Sequence, residues 1–328
     1  MTLRHENTCY SENPKLNKGL KGRLPMRCGI RLSPCENSIA VITDDGDFIY
    51  SSSFKPRDTY SELLVQLESA LKHCSDKYNI KLPVGVSVKG HETPSTGMIT
   101  SLHHPLIAQK TLRRDMQAAL KHSVIVASDG QCLAVAARSV LELDNKPTIF
   151  ALSLDQSVCG GIIVSDKLLF GPHGLAGDWG HLSLPWPVDH EMEGRICVCG
   201  RTGCLEHFVS LEGLSHDYEL LTGKKLTSES IIKQAETGDI VAESAMQVLE
   251  DRISRGLAMV IGLLDPDVIL IGGMLAESKR LFTNIPRKWP GNIRSSVNSD
   301  ILVPLRTSNP CPDHLYLHGA GHLCDYAK

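Results

Sequence analysis

Cys197-Val198-Cys199-Gly200-Arg201-Thr202-Gly203-Cys204 sets three thiols within eight residues, with glycines between them that let the backbone close around an ion. Three thiolates and one imidazole form a closed tetrahedral zinc site, the structural rather than the catalytic kind. His181 is the leading fourth ligand, and His190 and His207 compete with it. Unrelated core cysteines seldom bunch so tightly around glycines, so that reading is the weaker one. The other cysteines (Cys9, Cys28, Cys35, Cys74, Cys132, Cys159, Cys311 and Cys324) are scattered singly, and the total of 11 is odd. Reduced thiols plus one metal cluster fit this better than an oxidised secreted scaffold.

The elements that must position such a cluster can be read from periodicity. Residues 1–25 are polar, carry no apolar period and are expected to be a disordered extension; Met26 opens the first strand-like run and is a candidate start. Residues 26–32, 37–45 and 47–54 read as three strands with short joins, hence antiparallel hairpins. A helix is expected over Thr59–Cys74, with Tyr60, Leu63, Leu64, Leu67 and Leu71 on one face. There follow a strand at 84–88, a helix at 111–120, a strand at 124–128 and a helix from Cys132 to about Leu143. Strands at 148–154 and 160–164 begin a second round, and a long helix at 240–264 runs into a strand at 267–273. The alternation implies an α/β class. With 328 residues, 42% hydrophobic, 22% charged and a net charge of −3, the chain has length for two lobes and no bias toward nucleic acid or anionic membrane. No run reaches a membrane span and no leader is visible, so a cytoplasmic protein is expected.

Gly177-Asp178-Trp179-Gly180-His181, followed by Cys197 through Glu206, resembles the G-E-x-G-H and C-x-C-G-x-x-G-C-x-E signature of the ROK family of sugar kinases and repressors. The stretch 176–186, with Lys55-Pro56-Arg57-Asp58-Thr59-Tyr60, is most similar to the bacterial fructokinases. The resemblance runs from about Met26 to the chain end. It implies a two-lobed actin-like (ribonuclease H-like) sugar-kinase fold with a structural zinc ion. The lobes would be 26–127, joined by a terminal helix at about 310–328, and 128–309. It also implies a hexose, fructose-like, as small-molecule partner, a homodimer, and Mg-ATP as phosphoryl donor if the chain is active. His181 would bind both zinc and sugar, Glu206 would hydrogen-bond sugar hydroxyls, and so would Asp178, one methylene shorter than the usual glutamate. Asp129, in Val126-Ala127-Ser128-Asp129-Gly130-Gln131, corresponds to the family's catalytic base, with Ser128 and Gln131 where asparagines are usual. Capping of the following helix is the plainer role for Asp129.

The elements that correspond to the family's phosphate loops depart from its pattern. D-x-G-G-T-K is matched by Arg31-Leu32-Ser33-Pro34-Cys35-Glu36, with no glycine, a proline lacking an N–H, and a carboxylate where a polyphosphate belongs. G-T-G-x-G-G is matched by Asp155-Gln156-Ser157-Val158-Cys159-Gly160-Gly161, in which only Gly160 and Gly161 survive. Lys89-Gly90 stands for a P-G turn, a sugar-binding asparagine falls near His103, and Gly272 and Gly273 mark either an adenosine-side turn or a plain strand exit. The favoured expectation is a ROK homologue that keeps fold, zinc and sugar binding with weak or absent catalysis. The alternative is an active ATP-dependent fructose or hexose kinase. A repressor is disfavoured, since 25 residues before Met26 are too few for a winged helix domain.

Overall fold

The computed structural model describes residues 10–12, 26–78, 80, 83–141, 143, 145–192, 195–294, 297–304 and 313–326. The chain divides into two units, one of residues 1–142, 167–176 and 307–328, the other of 143–166 and 177–306.

The first unit is built on β1 (Tyr10–Glu12), β2 (Arg27–Leu32), β3 (Asn37–Ile42), β4 (Phe48–Phe54), β5 (Val84–Val88) and β6 (Val124–Ser128), in spatial order β1-β4-β3-β2-β5-β6. The three expected hairpin strands pair antiparallel, and β5 and β6 add in parallel. Within the expected 1–25 extension, Tyr10–Glu12 pairs antiparallel with β4, so these three residues form a strand where none was anticipated; the rest of that stretch lies outside the described residues. Helices α1 (Tyr60–Lys77), α2 (Leu112–Leu120) and α3 (Asp129–Val140) connect the strands. α1 starts at a capping box, Thr59 accepting from the Glu62 amide while Glu62 reaches back to the Thr59 amide. Its Leu63, Leu67 and Leu71 are buried, as their spacing predicts, against Ile30, Val86 and Met116 among others.

Register decides what the unit can present. Leu32 lies opposite Val88, and Val88 opposite Ser128, so the carboxyl ends of β2, β5 and β6 finish level. Side chains just beyond those ends share one sheet edge, where open α/β sheets place their ligands.

A last helix, α7 (His314–His322), lies on the sheet so closely that backbone meets backbone. A Cβ on Gly29 would sit 2.1 Å from the Leu317 carbonyl, and one on Gly85 1.7 Å from that of Ala320. α3 packs against α7 in the same way, through Gly319 over the Cys132 carbonyl. This contact holds α3 in the first unit, so the division falls near 142 rather than at the 127 expected from sequence.

The second unit has β7 (Ile149–Leu154), β8 (Val158–Val164), β9 (Val268–Gly272) and β10 (Leu302–Pro304), in order β8-β7-β9-β10. β7 and β8 form an antiparallel hairpin, and β9 runs parallel to both β7 and β10. Helices α4 (Leu211–Thr222), α5 (Ser228–Glu236) and α6 (Ile240–Leu264) complete it around a core that includes Phe150, Trp179, Phe208, Leu249 and Ile253. Among the described residues no helix is long and apolar enough to cross a membrane.

α7 also carries a column of buried imidazoles. His318 and His322 stack at 4.4 Å, and the Phe48 ring meets His314 edge-on at 4.0 Å. Burial holds His314 at about 4, and burial with the neighbouring imidazoles and Arg27 holds His318 at about 3. Both are neutral in the folded chain and gain a proton near pH 6.5 when it unfolds. The unfolded state therefore binds more protons as pH falls below 6.5, and stability should drop by up to about 1.4 kcal/mol per pH unit per histidine. Urea midpoints measured between pH 7.5 and 5 should fall steadily, and His318→Phe should flatten that slope; a slope unchanged in the variant would contradict the assignment.

Candidate functional site

Arg31 is the last arginine anyone would bury without a partner: it lies inside a central strand and is 5% exposed. In register it stands beside Ser87, which stands beside Ala127. That alignment delivers its guanidinium to Asp129, the first residue of α3. Arg31 Nη2 donates to Asp129 Oδ2 at 2.7 Å and Nε to Oδ1 at 3.4 Å. The Ser87 hydroxyl donates to Oδ1 at 2.6 Å. Arg31 Nη1 donates to Asp313, ahead of α7, and the other oxygen of Asp313 accepts from Ser38 at 2.6 Å. The Tyr316 ring covers the guanidinium carbon at 3.8 Å. Burial by itself would raise the Asp129 pKa, but the charge and hydrogen bonds of Arg31 outweigh it and hold the carboxylate below its usual value. Such a group is a weak proton acceptor, and Arg31 and Ser87 already occupy both its oxygens.

The helix cap falls to Ser128, not Asp129. Ser128 Oγ accepts from the Gln131 amide at 3.2 Å, and Gln131 Oε1 accepts from the Ser128 amide at 3.0 Å, a complete capping box. Gln131 Nε2 goes on to the Leu169 carbonyl at 3.3 Å. The helix begins at Asp129 rather than Cys132 because this box closes its first turn.

Several backbone donors of the two phosphate-loop counterparts are taken by bonds within the chain. The Ser33 amide goes to Asn37 Oδ1 at 3.2 Å, Pro34 has none, and Glu36 is exposed. In the second unit the Gln156 amide goes to Asp155 Oδ1 at 2.8 Å, that of Val158 to Glu206 Oε2 at 2.9 Å, and that of Gly160 to the Gly177 carbonyl at 2.7 Å. Gly160 lies in the β7–β8 ladder opposite Leu152, and Gly161 opposite Ala151. Gly272 ends β9, and Gly273, at φ +88°, would put a Cβ 2.5 Å from the Leu154 carbonyl. Pro34 has no amide to offer a ligand, and position 31, which matches the family's aspartate, carries an arginine.

The cysteine cluster does fit its ion. The donor atoms of His181, Cys197, Cys199 and Cys204 all lie within 4.8 Å of one another. His181 Nδ1 is 3.6 Å from Cys197 Sγ, and Cys199 Sγ is 3.5 Å from Cys204 Sγ. Zinc ligands at about 2.0–2.3 Å from a tetrahedral ion stand roughly 3.3–3.8 Å apart. His190 sits exposed on the short helix Asp189–Met192, and the His207 ring lies 6.2 Å from that of His216; neither joins the group. Two close approaches hold the histidine loop onto β8. A Cβ on Gly177 would fall 2.4 Å from the Gly160 carbonyl, and one on Gly180 2.1 Å from that of Val158. Asp178, half-buried, opens the 3-10 turn Trp179–His181, and Glu206, buried, opens the short helix after Cys204.

A buried ion network behind the cluster anchors the intervening loop. Glu191 accepts from Arg252 Nε at 2.7 Å and from Arg255 Nη2 at 2.7 Å; Asp217 bridges Arg252 and Arg195. Phe208 lies between the guanidinium groups of Arg195, at 4.8 Å, and Arg252, at 4.9 Å. Burial opposes ionisation of Glu191, yet hydrogen bonds from Arg255 and Arg252 keep it at about 2.

Thus Asp129 and Ser128 lie on the first unit's sheet edge, and Asp178, His181, Glu206 and the three cysteines surround one loop system of the second. His103 lies half-buried in the segment after the small hairpin His91–Thr93/Met98–Thr100. The sequence reading missed Ser87 and Asp313. Arg31 itself was the available signal, since a cation in an apolar central strand requires an acid elsewhere.

The ROK family model matches residues 27–309. The N-acetyl-D-glucosamine kinase of Pectobacterium atrosepticum is 26% identical over 242 residues, 73% of this chain and 80% of that protein. A ROK hexokinase from Thermus thermophilus superposes with a TM-score of 0.76 at 19% identity, covering 90% of this chain and 96% of that one. A ROK glucokinase from Streptomyces griseus, solved with glucose and AMPPNP, gives 0.76 at 18% identity, covering 92% and 100%.

Arg31→Met should cost about 3–5 kcal/mol of stability, because it strands Asp129 and Asp313 as buried unpaired charges. Adding Asp129→Asn should return part of that loss. Denaturant unfolding of the single and double variants measures both, and simple additivity would show that the pair is not coupled.

Proposed function

The chain belongs to the ROK family of sugar kinases, and on that premise we propose that it is a hexose-binding homologue whose phosphoryl-transfer capacity is weak or absent. The observation that carries the reading is the Arg31–Asp129 ion pair. The carboxylate that would accept a hydroxyl proton has a lowered proton affinity, because a guanidinium and a serine hydroxyl already hydrogen-bond to it. The amides of Ser33, Gln156, Val158 and Gly160, each taken by a partner within the chain, support the same reading, since phosphoryl transfer depends almost wholly on positioning and charge stabilisation around the phosphates. On the sugar side Glu206, Asp178 and His181 remain, and Ser128 keeps its hydroxyl hydrogen to donate. The sugar is a hexose. The 176–186 stretch favours fructose, whereas the kinase from Pectobacterium favours N-acetylglucosamine, and both belong in the test. We place the protein in the cytoplasm as a homodimer.

The cluster of His181, Cys197, Cys199 and Cys204 would hold one zinc ion, with all four positions filled by protein. Zinc there would supply folding energy and would hold the His181 ring in place, with no open coordination position for chemistry.

A second reading, an ordinary ATP-dependent hexose kinase, draws support from the named activities of the relatives. Turnover separates the two. With magnesium-ATP and glucose, N-acetylglucosamine or fructose, the purified chain should phosphorylate at least a hundredfold more slowly than the roughly 1–100 per second of ordinary kinases. A rate within that range overturns the proposal. Titration calorimetry should show heat with at least one hexose and none with magnesium-ATP.

Metal analysis of protein purified without chelator should find about one zinc per chain. Cys199→Ser should release most of it and lower the thermal midpoint. A zinc-free wild type that melts normally would remove the ion from the account.

A further inference from the structure

We propose that the carboxyl edge of the first unit's sheet recognises an anionic hexose derivative, with the Lys89 ammonium as the contacting charge and the His104 imidazole as a neutral hydrogen-bonding neighbour. The inference rests on the hexose-binding reading above and narrows its ligand class.

Register places the two key positions. Val88 and Ser128 are opposite one another at the level ends of β5 and β6, so Lys89 and Asp129 are the first residues beyond adjoining strands. Lys89 is 8% exposed, which is rare for a lysine without a counter-ion. Among the described residues no carboxylate lies within salt-bridge distance of it. The acid whose field it shares, Asp129, is taken by Arg31 and Ser87, and Asp313 is taken by Arg31 and Ser38. A buried cation left in this state carries a desolvation cost that an arriving anion relieves.

The surroundings are built rather than incidental. The Ser101 hydroxyl donates to the Lys89 carbonyl and accepts from the His104 amide at 3.0 Å, tying the two segments together. Gly90, at φ +147°, brings the chain so near that a Cβ would lie 2.4 Å from the Thr100 carbonyl. His104 is 2% exposed, and its Nε2 is buried with no hydrogen-bond partner among the described residues. Burial and the Lys89 charge keep that ring neutral, at about 4. A buried imidazole nitrogen without a partner is costly unless a ligand completes it.

Arg31, Lys89, Asp129 and Asp313 together sum to zero charge, so the edge does not attract anions from a distance. Selectivity arises at contact, where Lys89 has donors that no acid holds and can form charge-assisted hydrogen bonds. A neutral hydroxyl could accept one of these but would leave the buried charge uncompensated. Phosphorylated and carboxylated hexoses share the required chemistry.

Titration calorimetry on the full chain tests this with glucose, fructose and N-acetylglucosamine, their 6-phosphates, glucuronate and inorganic phosphate. The expected result is that at least one anionic hexose binds about tenfold or more tighter than its neutral parent. The phosphate esters and glucuronate tell which anion is preferred. Lys89→Met should bring parent and derivative within about twofold, and Lys89→Arg should keep the preference. Neutral sugars that bind as tightly as anionic ones in the wild type would overturn the proposal while leaving hexose binding intact. So would inorganic phosphate that binds as tightly as the anionic sugars, or a preference that survives Lys89→Met. Absence of binding by every sugar would overturn the hexose-binding reading as well.

Discussion

A single guanidinium organises the first unit. Arg31 sits where three aligned strand ends meet a helix start and the approach to the last helix, and it binds an acid from each of the latter two. Removed from water, a charge of this kind is tolerated only when its hydrogen-bonding geometry is close to complete. That requirement fixes the side chain of Asp129, the start of α3, the placement of α7 through Asp313, and the ring of Tyr316. The same requirement takes from Asp129 the readiness to accept a proton.

The second unit solves a similar problem with different means. Its loop from His181 to Cys204 is long and exposes Trp186, Met192, Ile196 and Val198, so apolar burial alone cannot hold it. It is anchored at its rear by Glu191 and Arg195 onto α6 and α4, and along its front by two glycines that lay backbone on backbone against β8. The four donors converge because both anchors leave the knuckle little freedom. Cys197 accepts the Gly200 amide and donates its own to Arg201, a tight turn that only the intervening glycine permits at φ +83°.

Much of this was legible from residue order. Apolar periods placed α6 and most of the longer strands to within one or two residues, because each buries one face and has little else to satisfy, whereas α1 runs three residues past its expected end and the short strands of two or three residues went unread. Spacing grouped the three cysteines, and the structure brings His181 among them rather than His190 or His207. What escaped was long-range and polar. Nothing near Arg31 in the chain announces Asp313, and Ser87 is an ordinary small residue of a buried strand until register sets it beside an arginine. The helix start moved from Cys132 to Asp129 because the capping box lies in residues whose correspondence to a catalytic motif masked their local role. The edge of the first unit moved for a related reason: backbone approach between α3 and α7 leaves no hydrophobic pattern to read, only glycines.

The bed that α7 occupies has a consequence for how the chain is made. Gly29 and Gly85 leave grooves in the sheet that only the backbone of residues 317–320 fills, and the Arg31–Asp313 contact spans 282 positions. During synthesis, which proceeds from the amino end, the first sheet emerges early with an open trough, its Arg31 able to pair with Asp129 but not yet with Asp313. The second unit, whose strands and helices lie between, can finish folding while the first still waits. Completion of the first unit therefore waits until residues 313–322 have been made, and a polypeptide cut short before residue 313 would leave that trough open to chaperones and proteases.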